Sequence, residues 1–170
     1  AYQIPRESLQ AHVDILADDA LQGRSPGTEG DRRATAYIER ELVRAGAQPL
    51  IGKSMLQQVM LPGEAITHNV IATVPGSVHP DEYVILVAHH DGQGRCDADA
   101  SGDDICNGAV DNASGVAVLI ELARHFAREP AMRSLLFLAS GAEEIGLIGA
   151  RAFVADPPVP LGDVRAVIGL

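Results

Sequence analysis

Two short apolar runs constrain the fold of this chain more than any other feature of its sequence. Residues 83–88 (YVILVA) are continuously apolar and rich in β-branched side chains, and residues 134–139 (SLLFLA) form a second apolar run of strand length. Runs without polar alternation are typical of strands buried on both faces, as in a parallel sheet. A helical pattern, residues 116–126, lies between them and ends before Pro130. Strands that alternate with helices predict a three-layer α/β fold.

Further periodicities and turn residues predict the remaining helices, strands and loops of this fold. Thr28 is predicted to cap a helix that has Asp31 as its capping-box acid and Gly46 as its stop. Residues 91–110 show no periodicity and predict a long functional loop. No internal repeat or linker divides the chain. The sequence also predicts helices over residues 5–17 and 144–155, and strands over residues 55–61, 68–74 and 164–168.

The charge and hydropathy of the chain exclude several classes of function. A net charge of −10 argues against a nucleic-acid partner, because phosphate binding needs clustered Lys and Arg. The sequence contains no run of about 18 apolar residues, so it predicts no membrane-spanning helix. No signal peptide is recognised either, and this leaves the cellular compartment open.

The aperiodic loop carries the two cysteines, Cys96 and Cys106. A disulfide between them would suit an exported protein, and two free thiols are the equal alternative. Residues 97–102 (DADASG) match the start of an EF-hand calcium loop, but Gly108 stands where the loop needs its twelfth-position Glu. We therefore favour a solvated loop over a calcium site.

Acidic and His-containing turns follow the two apolar runs and precede the helical pattern. Ligands of α/β folds bind beyond the carboxyl ends of the strands, so these turns are predicted to form most of a metal site. His89 offers an imidazole ligand, Asp91 could orient that ring, and Asp111 could bridge two metals. Of Glu143 and Glu144, one could ligate and the other could take a proton from water. Each turn alone is more commonly a polar turn, a cap or a charge at a helix start.

These turns carry longer motifs, which are residues 88–91 (AHHD), 108–115 (GAVDNASG) and 143–149 (EEIGLIG), with the upstream turn 21–28 (LQGRSPGT). Together the motifs resemble one family, the co-catalytic zinc aminopeptidases of metallopeptidase family 28. The resemblance implies that His89 ligates one zinc, Asp111 bridges both, and Glu144 ligates the second. It also implies Glu143 as general base and Asp91 as the partner of His89. The family fold is a mixed, mostly parallel sheet flanked by helices.

The sequence departs from the family pattern in its number of ligands. The family uses five protein ligands and residues 1–170 show three, so we expect the N-terminal part of a single, truncated catalytic domain. The full-length enzyme would then hold two zinc ions, and this part alone would be inactive and prone to self-association through the strand at 164–168. His90 could substitute as a ligand but is predicted to point away from His89. The remaining histidines, which are His12, His68, His79 and His125, are assigned to surface or structural roles.

Three functions remain open at this point. The resemblance favours an exported zinc exopeptidase that cleaves N-terminal residues from peptides, although some branches cleave C-terminal ones. A glutaminyl cyclase-like acyltransferase is the second candidate. A metal-free receptor-like relative is the third, and the presence of His89, Asp111, Glu143 and Glu144 argues against it.

Overall fold

A six-stranded mixed sheet lies between two layers of helices in the computed structural model, which describes residues 3–50 and 52–170. A separate two-stranded ribbon, β5–β6, stands beside it. The helices are α1 (Arg6–Leu16), α2 (Glu29–Ala45), α3 (Ser114–Arg128) and α4 (Ile148–Ala155). The strands are β1 (Gln48–Pro49), β2 (Leu56–Met60), β3 (Ile66–Val74), β4 (His79–His89), β5 (Gly94–Arg95), β6 (Ile105–Cys106), β7 (Arg133–Ser140) and β8 (Val164–Gly169).

The sheet changes from antiparallel to parallel at its centre. Its strand order is β1-β3-β7-β4-β8, and β2 also pairs with β3. The pairs β7–β4 and β4–β8 are parallel, whereas β1, β2 and β7 run antiparallel to β3. The predicted three-layer α/β fold with a mixed sheet is confirmed. Its parallel part, β7–β4–β8, contains both of the apolar runs.

Side chains of the central strands alternate between two apolar clusters. Phe137 and Leu86 pack in the larger cluster with α1, α2 and α3. Leu136 and Leu138, their neighbours in the pleat, pack with Ile85 and the Phe153 of α4 on the opposite face. Both faces of β7 are therefore buried, which explains why this strand has no polar alternation. Among the described residues, no helix is long and apolar enough to cross a membrane.

The helix predicted over residues 144–155 was wrong at its start. Helix α4 begins at Ile148, because Gly146 (φ +110°) and Leu147 (φ +60°) adopt left-handed backbone conformations that a helix cannot contain. Glu143 and Glu144 therefore lie in a tight turn, where Glu143 O accepts from the backbone N–H groups of Gly146 and Leu147. Neither acid lies in the first turn of α4, so the alternative role of these carboxylates as favourable charges at a helix start is wrong.

The loop over residues 91–110 is organised by a disulfide between Cys96 and Cys106, the pairing that the sequence had left open. Cys96 directly follows β5, and Cys106 lies in β6, where it pairs with Gly94. The Asp99 carboxylate accepts hydrogen bonds from the backbone N–H groups of Ser101 and Asp103 and from the Ser101 hydroxyl. This carboxylate stabilises the turn of the loop itself, in agreement with a solvated loop.

Replacement of Leu136 by Ala should lower the free energy of unfolding by about 2–5 kcal/mol, since it leaves a cavity in a fully buried strand. The matched control is Leu161→Ala, because Leu161 is 45% exposed and its truncation should change the value by about 0.5 kcal/mol or less. Urea denaturation followed by circular dichroism measures both. Equal effects would contradict the assignment of Leu136 to the core.

Candidate metal centre

The parallel pairing of β4 with β7 brings two of the predicted turns together. Ala88 lies opposite Ala139 and His89 opposite Ser140, so both strands end at the same level. The backbone N–H of His90 continues the ladder by donating to Ser140 O at 3.0 Å. The turn after β4 and the turn after β7 therefore lie side by side at the carboxyl edge of the sheet. This is the position that α/β folds use for ligand sites.

His89 and Asp111 are in direct contact at this edge. Nε2 of His89 lies 2.9 Å from Oδ1 of Asp111. The imidazole is mostly buried, with 14% of its side chain exposed, whereas the Asp111 side chain is 72% exposed. The Asp111–Asn112 peptide bond is cis. The first turn of α3 is stabilised by Asn112 and not by Asp111, because Asn112 Oδ1 accepts a hydrogen bond from the backbone N–H of Gly115 at 3.0 Å. The Asp111 carboxylate is thereby left for the imidazole and the cleft.

Asp91 connects the two turns through its buried carboxylate. Its two oxygens accept hydrogen bonds from the backbone N–H groups of Glu143 at 3.0 Å and Glu144 at 3.1 Å. Burial acts to raise the pKa of Asp91, but His89 and these N–H groups outweigh it and lower the pKa. A charged carboxylate is thus fixed below the Glu143–Glu144 turn. Sequence analysis had assigned Asp91 to His89 alone and had not anticipated this contact.

The carboxylates around His89 create a negative potential at its imidazole ring. Burial acts to lower the pKa of His89, but the carboxylates of Asp91, Glu143 and Asp111 outweigh burial and raise the pKa. The second ring nitrogen, Nδ1, is buried without a hydrogen-bond partner and lies 3.7 Å from Asp91 Oδ1. Asp91 is therefore placed on the opposite side of the ring from Asp111, as expected for a residue that orients a ligand.

Glu144 lies across a cleft of about 320 Å³ that it shares with Asp111. Its Oε2 is 3.5 Å from Nε2 of Gln93. Within residues 3–50 and 52–170, no group of three or more His, Cys, Asp or Glu side chains is clustered tightly enough to hold a metal ion. The structure thus joins His89 to Asp111 and places Glu144 on the same cleft, but it does not gather the three around one point. The residues that line the cleft are Gln93, Cys106, Asn107, Gly108, Asp111 and Glu144.

His90 points away from His89, as predicted, and its side chain is buried and hydrogen-bonded in the interior of the protein. Its Nδ1 is 2.8 Å from Ser140 O, a carbonyl that can only accept, so Nδ1 carries the proton. Burial lowers the pKa of His90 although Asp31 and Asp91 act to raise it. Nε2 lies 3.1 Å from the Thr35 hydroxyl and 3.3 Å from Asp31 Oδ1. With both nitrogens engaged, His90 is not available as a substitute ligand.

Two other side chains near these elements have clear structural settings. The predicted structural role of His12 agrees with its burial, where its ring nitrogens contact Tyr37 Oη at 2.6 Å and Glu121 Oε1 at 3.2 Å. Arg24, which the sequence placed only in a turn, is buried behind the site with 1% exposure. The sole sequence signal for Arg24 was its place in the upstream motif of residues 21–28.

The donor atoms of this edge fit zinc. Imidazole nitrogen and carboxylate oxygen are both common zinc ligands in hydrolytic sites, and the contact between His89 and Asp111 offers one of each. The buried Nδ1 lies 3.7 Å from Oδ1 of Asp91, so a carboxylate stands on the side of the ring where ligating imidazoles donate their second hydrogen bond. The residues present therefore suit a zinc ion, although three candidates are too few for a dinuclear site.

The similarity of this chain to known proteins extends over the same motifs. Residues 69–170, which include all five candidate residues, match the sequence profile of Peptidase family M28. The chain belongs to peptidase family M28. A "Probable zinc metalloprotease" of Pyrenophora teres f. teres is 41% identical over 95 residues, covering 56% of this chain and 20% of the relative. "Aminopeptidase NAALADL1" of Rattus norvegicus is 37% identical over 95 residues, covering 52% of this chain and 11% of the relative.

Solved structures share the fold of this M28 chain. A Zn-dependent exopeptidase from Parabacteroides distasonis superposes with a TM-score of 0.79 at 23% identity, over 99% of this chain and 61% of the other. A glutaminyl cyclase from Bacteroides thetaiotaomicron gives a TM-score of 0.78 at 20% identity, over 99% and 62% of the two chains. The chain thus matches about a fifth of the Pyrenophora teres f. teres relative and covers less than two thirds of these solved chains.

Replacement of Asp91 by Asn should lower the free energy of unfolding by about 1.5–3 kcal/mol. The amide keeps the shape but loses the charge, and one of the two N–H groups of Glu143 and Glu144 loses its acceptor. Asp14→Asn is the control, since Asp14 is exposed on α1 and should change the value by about 0.5 kcal/mol or less. Chemical denaturation measures both, and equal stability of the two variants would contradict the bridging role of Asp91.

Proposed function

We propose that the protein is a zinc-dependent exopeptidase of family M28, and specifically an aminopeptidase. The observation that carries the proposal is the contact of His89 with Asp111 beside a Glu143–Glu144 turn that Asp91 holds in place. These are the residues that the motifs of the family would assign to the reaction. Membership of the family supports a peptidase.

His89, Asp111 and Glu144 would hold the metal. Zinc, when bound, would act as a Lewis acid that activates water for attack on the peptide carbonyl. Asp91 would orient the His89 ring from behind, since it faces Nδ1 at 3.7 Å. The exposed Asp111 carboxylate has two oxygens and could serve both of two metals, as the resemblance implies.

Glu143 would act as general base. Its backbone N–H is fixed by Asp91, and its side chain is half-buried and close enough to raise the pKa of His89. A carboxylate in this position can take the proton from attacking water and return it to the leaving amine. The side chains of Glu143 and Glu144 have different neighbours, since Glu143 acts on His89 and Glu144 Oε2 lies 3.5 Å from Gln93 Nε2, which suits a base beside a ligand.

Support for cleavage at the N-terminus of a peptide comes from the motif resemblance and from a relative. "Aminopeptidase NAALADL1" of Rattus norvegicus is 37% identical to this chain over 95 residues. This favours aminopeptidase over carboxypeptidase activity.

The domain organisation is part of the proposal. Since the solved exopeptidase is longer than this chain, we place residues 1–170 within a larger catalytic domain that supplies the remaining ligands for two zinc ions. The disulfide between Cys96 and Cys106 supports an exported protein, because disulfides persist in oxidising compartments.

Metal analysis and substrate assays on the full-length protein test the proposal. Zinc should co-purify, and aminoacyl substrates should be hydrolysed in a chelator-sensitive manner. The shared fold with a glutaminyl cyclase makes acyl transfer the second candidate. A peptide with N-terminal Gln distinguishes the two, because the cyclase releases ammonia and a pyroglutamyl peptide, whereas the aminopeptidase releases free Gln. Absence of zinc would instead favour the metal-free relative.

Replacement of Glu143 by Gln in the full-length protein should leave zinc content unchanged and lower kcat by about 10²–10⁴-fold, because only the base is lost. Glu129→Gln, an exposed position at the end of α3, is the control and should retain normal kcat. Initial-rate assays with equal zinc loading compare the variants. Near-normal turnover in Glu143→Gln would refute the assignment of Glu143.

A further inference from the structure

Arg24 is the largest fully buried side chain in the described part of the chain. Its guanidinium donates four hydrogen bonds, and all of them go to backbone carbonyl oxygens. Nε donates to His90 O at 2.9 Å and Nη2 to Gly108 O at 3.0 Å. Nη1 donates to Asn107 O at 2.6 Å and also to Leu16 O. A buried guanidinium satisfied in this way joins segments that are distant in sequence.

Three of the four carbonyls that Arg24 binds belong to the two loops of the candidate site, and the fourth, Leu16 O, ends helix α1. His90 lies between His89 and Asp91, and Gly108 is three residues before Asp111. The backbone of Arg24 adds a further contact, since its carbonyl accepts from Gly92 N at 3.2 Å. One side chain therefore contacts both the loop that carries the imidazole and the loop that carries the carboxylate.

The chemistry of arginine suits this position better than that of any other side chain. Its planar fork offers five N–H donors in fixed directions, whereas lysine offers a compact group on a flexible stem. Burial lowers the pKa of Arg24, and the charges of Asp91 and Asp111 act against that shift. The cation is thus placed behind the two site carboxylates, where it reduces their mutual repulsion.

We propose that Arg24 is a positioning residue that sets the separation of the His89 loop from the Asp111 loop and so keeps the imidazole and the carboxylate ready for a metal. This inference rests on the proposed function, because it assigns these loops to a zinc site. It assigns no contact between Arg24 and substrate or metal.

The test is Arg24→Lys in the full-length protein, with Arg33→Lys as control. Arg33 is an exposed arginine that also donates to a backbone carbonyl, Ala20 O at 2.8 Å, but it contacts neither site loop. Zinc affinity is measured by competition with a chromophoric chelator, and the absorption spectrum of the cobalt(II)-substituted protein reports the ligand geometry. Melting temperatures are recorded for both variants.

Arg24→Lys should bind zinc about 10–100-fold more weakly, as is typical when support behind a ligand is lost. Its cobalt spectrum should shift and its kcat should fall with little change in KM, whereas Arg33→Lys should match the wild type. A folded Arg24→Lys variant with a lower melting temperature but wild-type zinc affinity and cobalt spectrum would overturn the proposal, since Arg24 would then be structural only.

A second variant covers the case in which Arg24→Lys does not fold. The Asn107 side chain also ties the Asp111 loop to the turn before Arg24, donating to Ala17 O and Asp19 Oδ1 at 2.7 Å each. Asn107→Ala should weaken zinc binding severalfold, and a folded variant with unchanged affinity would overturn the proposal.

A metal-free measurement separates this inference from the proposed function. If the wild-type protein bound no zinc, the zinc proposal would fail on its own. NMR signals of the His89 ring would still report its contact with Asp111. They should shift in Arg24→Lys and stay in place in Arg33→Lys, and unchanged His89 signals in a folded Arg24→Lys variant would exclude a positioning role.

Discussion

The parallel register between β4 and β7 is the constraint on which the rest of the site depends. With His89 opposite Ser140, the two strands end at one level and their following turns meet. Asp91 then completes the join, because its buried carboxylate accepts the N–H groups that open the Glu143–Glu144 turn. A shift of the register by one residue would turn every side chain of β4 to the other face and separate the two turns. The hydrophobic pairing of the central strands therefore decides where the polar groups lie.

Much of this arrangement was predictable from the sequence, because the strongest signals are those of buried strands. The runs over residues 83–88 and 134–139 lie within β4 and β7, and the helical pattern over residues 116–126 lies within α3. The capping pair Thr28 and Asp31 also marked the start of α2 correctly, as the Thr28 side chain accepts from Asp31 N. In each case a periodicity or a cap is a local property of the chain, so the local sequence was sufficient.

The features that sequence reasoning missed depend on tertiary contacts. Left-handed backbone at Leu147 is uncommon for a branched residue, so the sequence could not indicate that α4 starts only at Ile148. Arg24 stands in a Gly- and Pro-rich turn, a setting typical of an exposed arginine. Its burial follows from carbonyls that belong to residues 16, 90, 107 and 108. The roles of His89, Asp111 and Glu144 as ligands stay predictions, because donor chemistry alone does not show which atoms bind a metal.

The ionisable groups of the site form two layers with different constraints. The inner layer, Arg24, His90 and Asp91, is buried and fully tied to backbone or side-chain partners. The outer layer, Asp111, Glu143 and Glu144, is exposed or half-buried, and Asp111 and Glu144 line the cleft. His89 joins the layers, with Nδ1 facing Asp91 and Nε2 contacting Asp111. A rigid inner layer fixes where the outer carboxylates attach, while their exposure leaves the side chains able to adjust to a cation. Positional accuracy and adaptability, which a metal site needs together, are thus assigned to different residues.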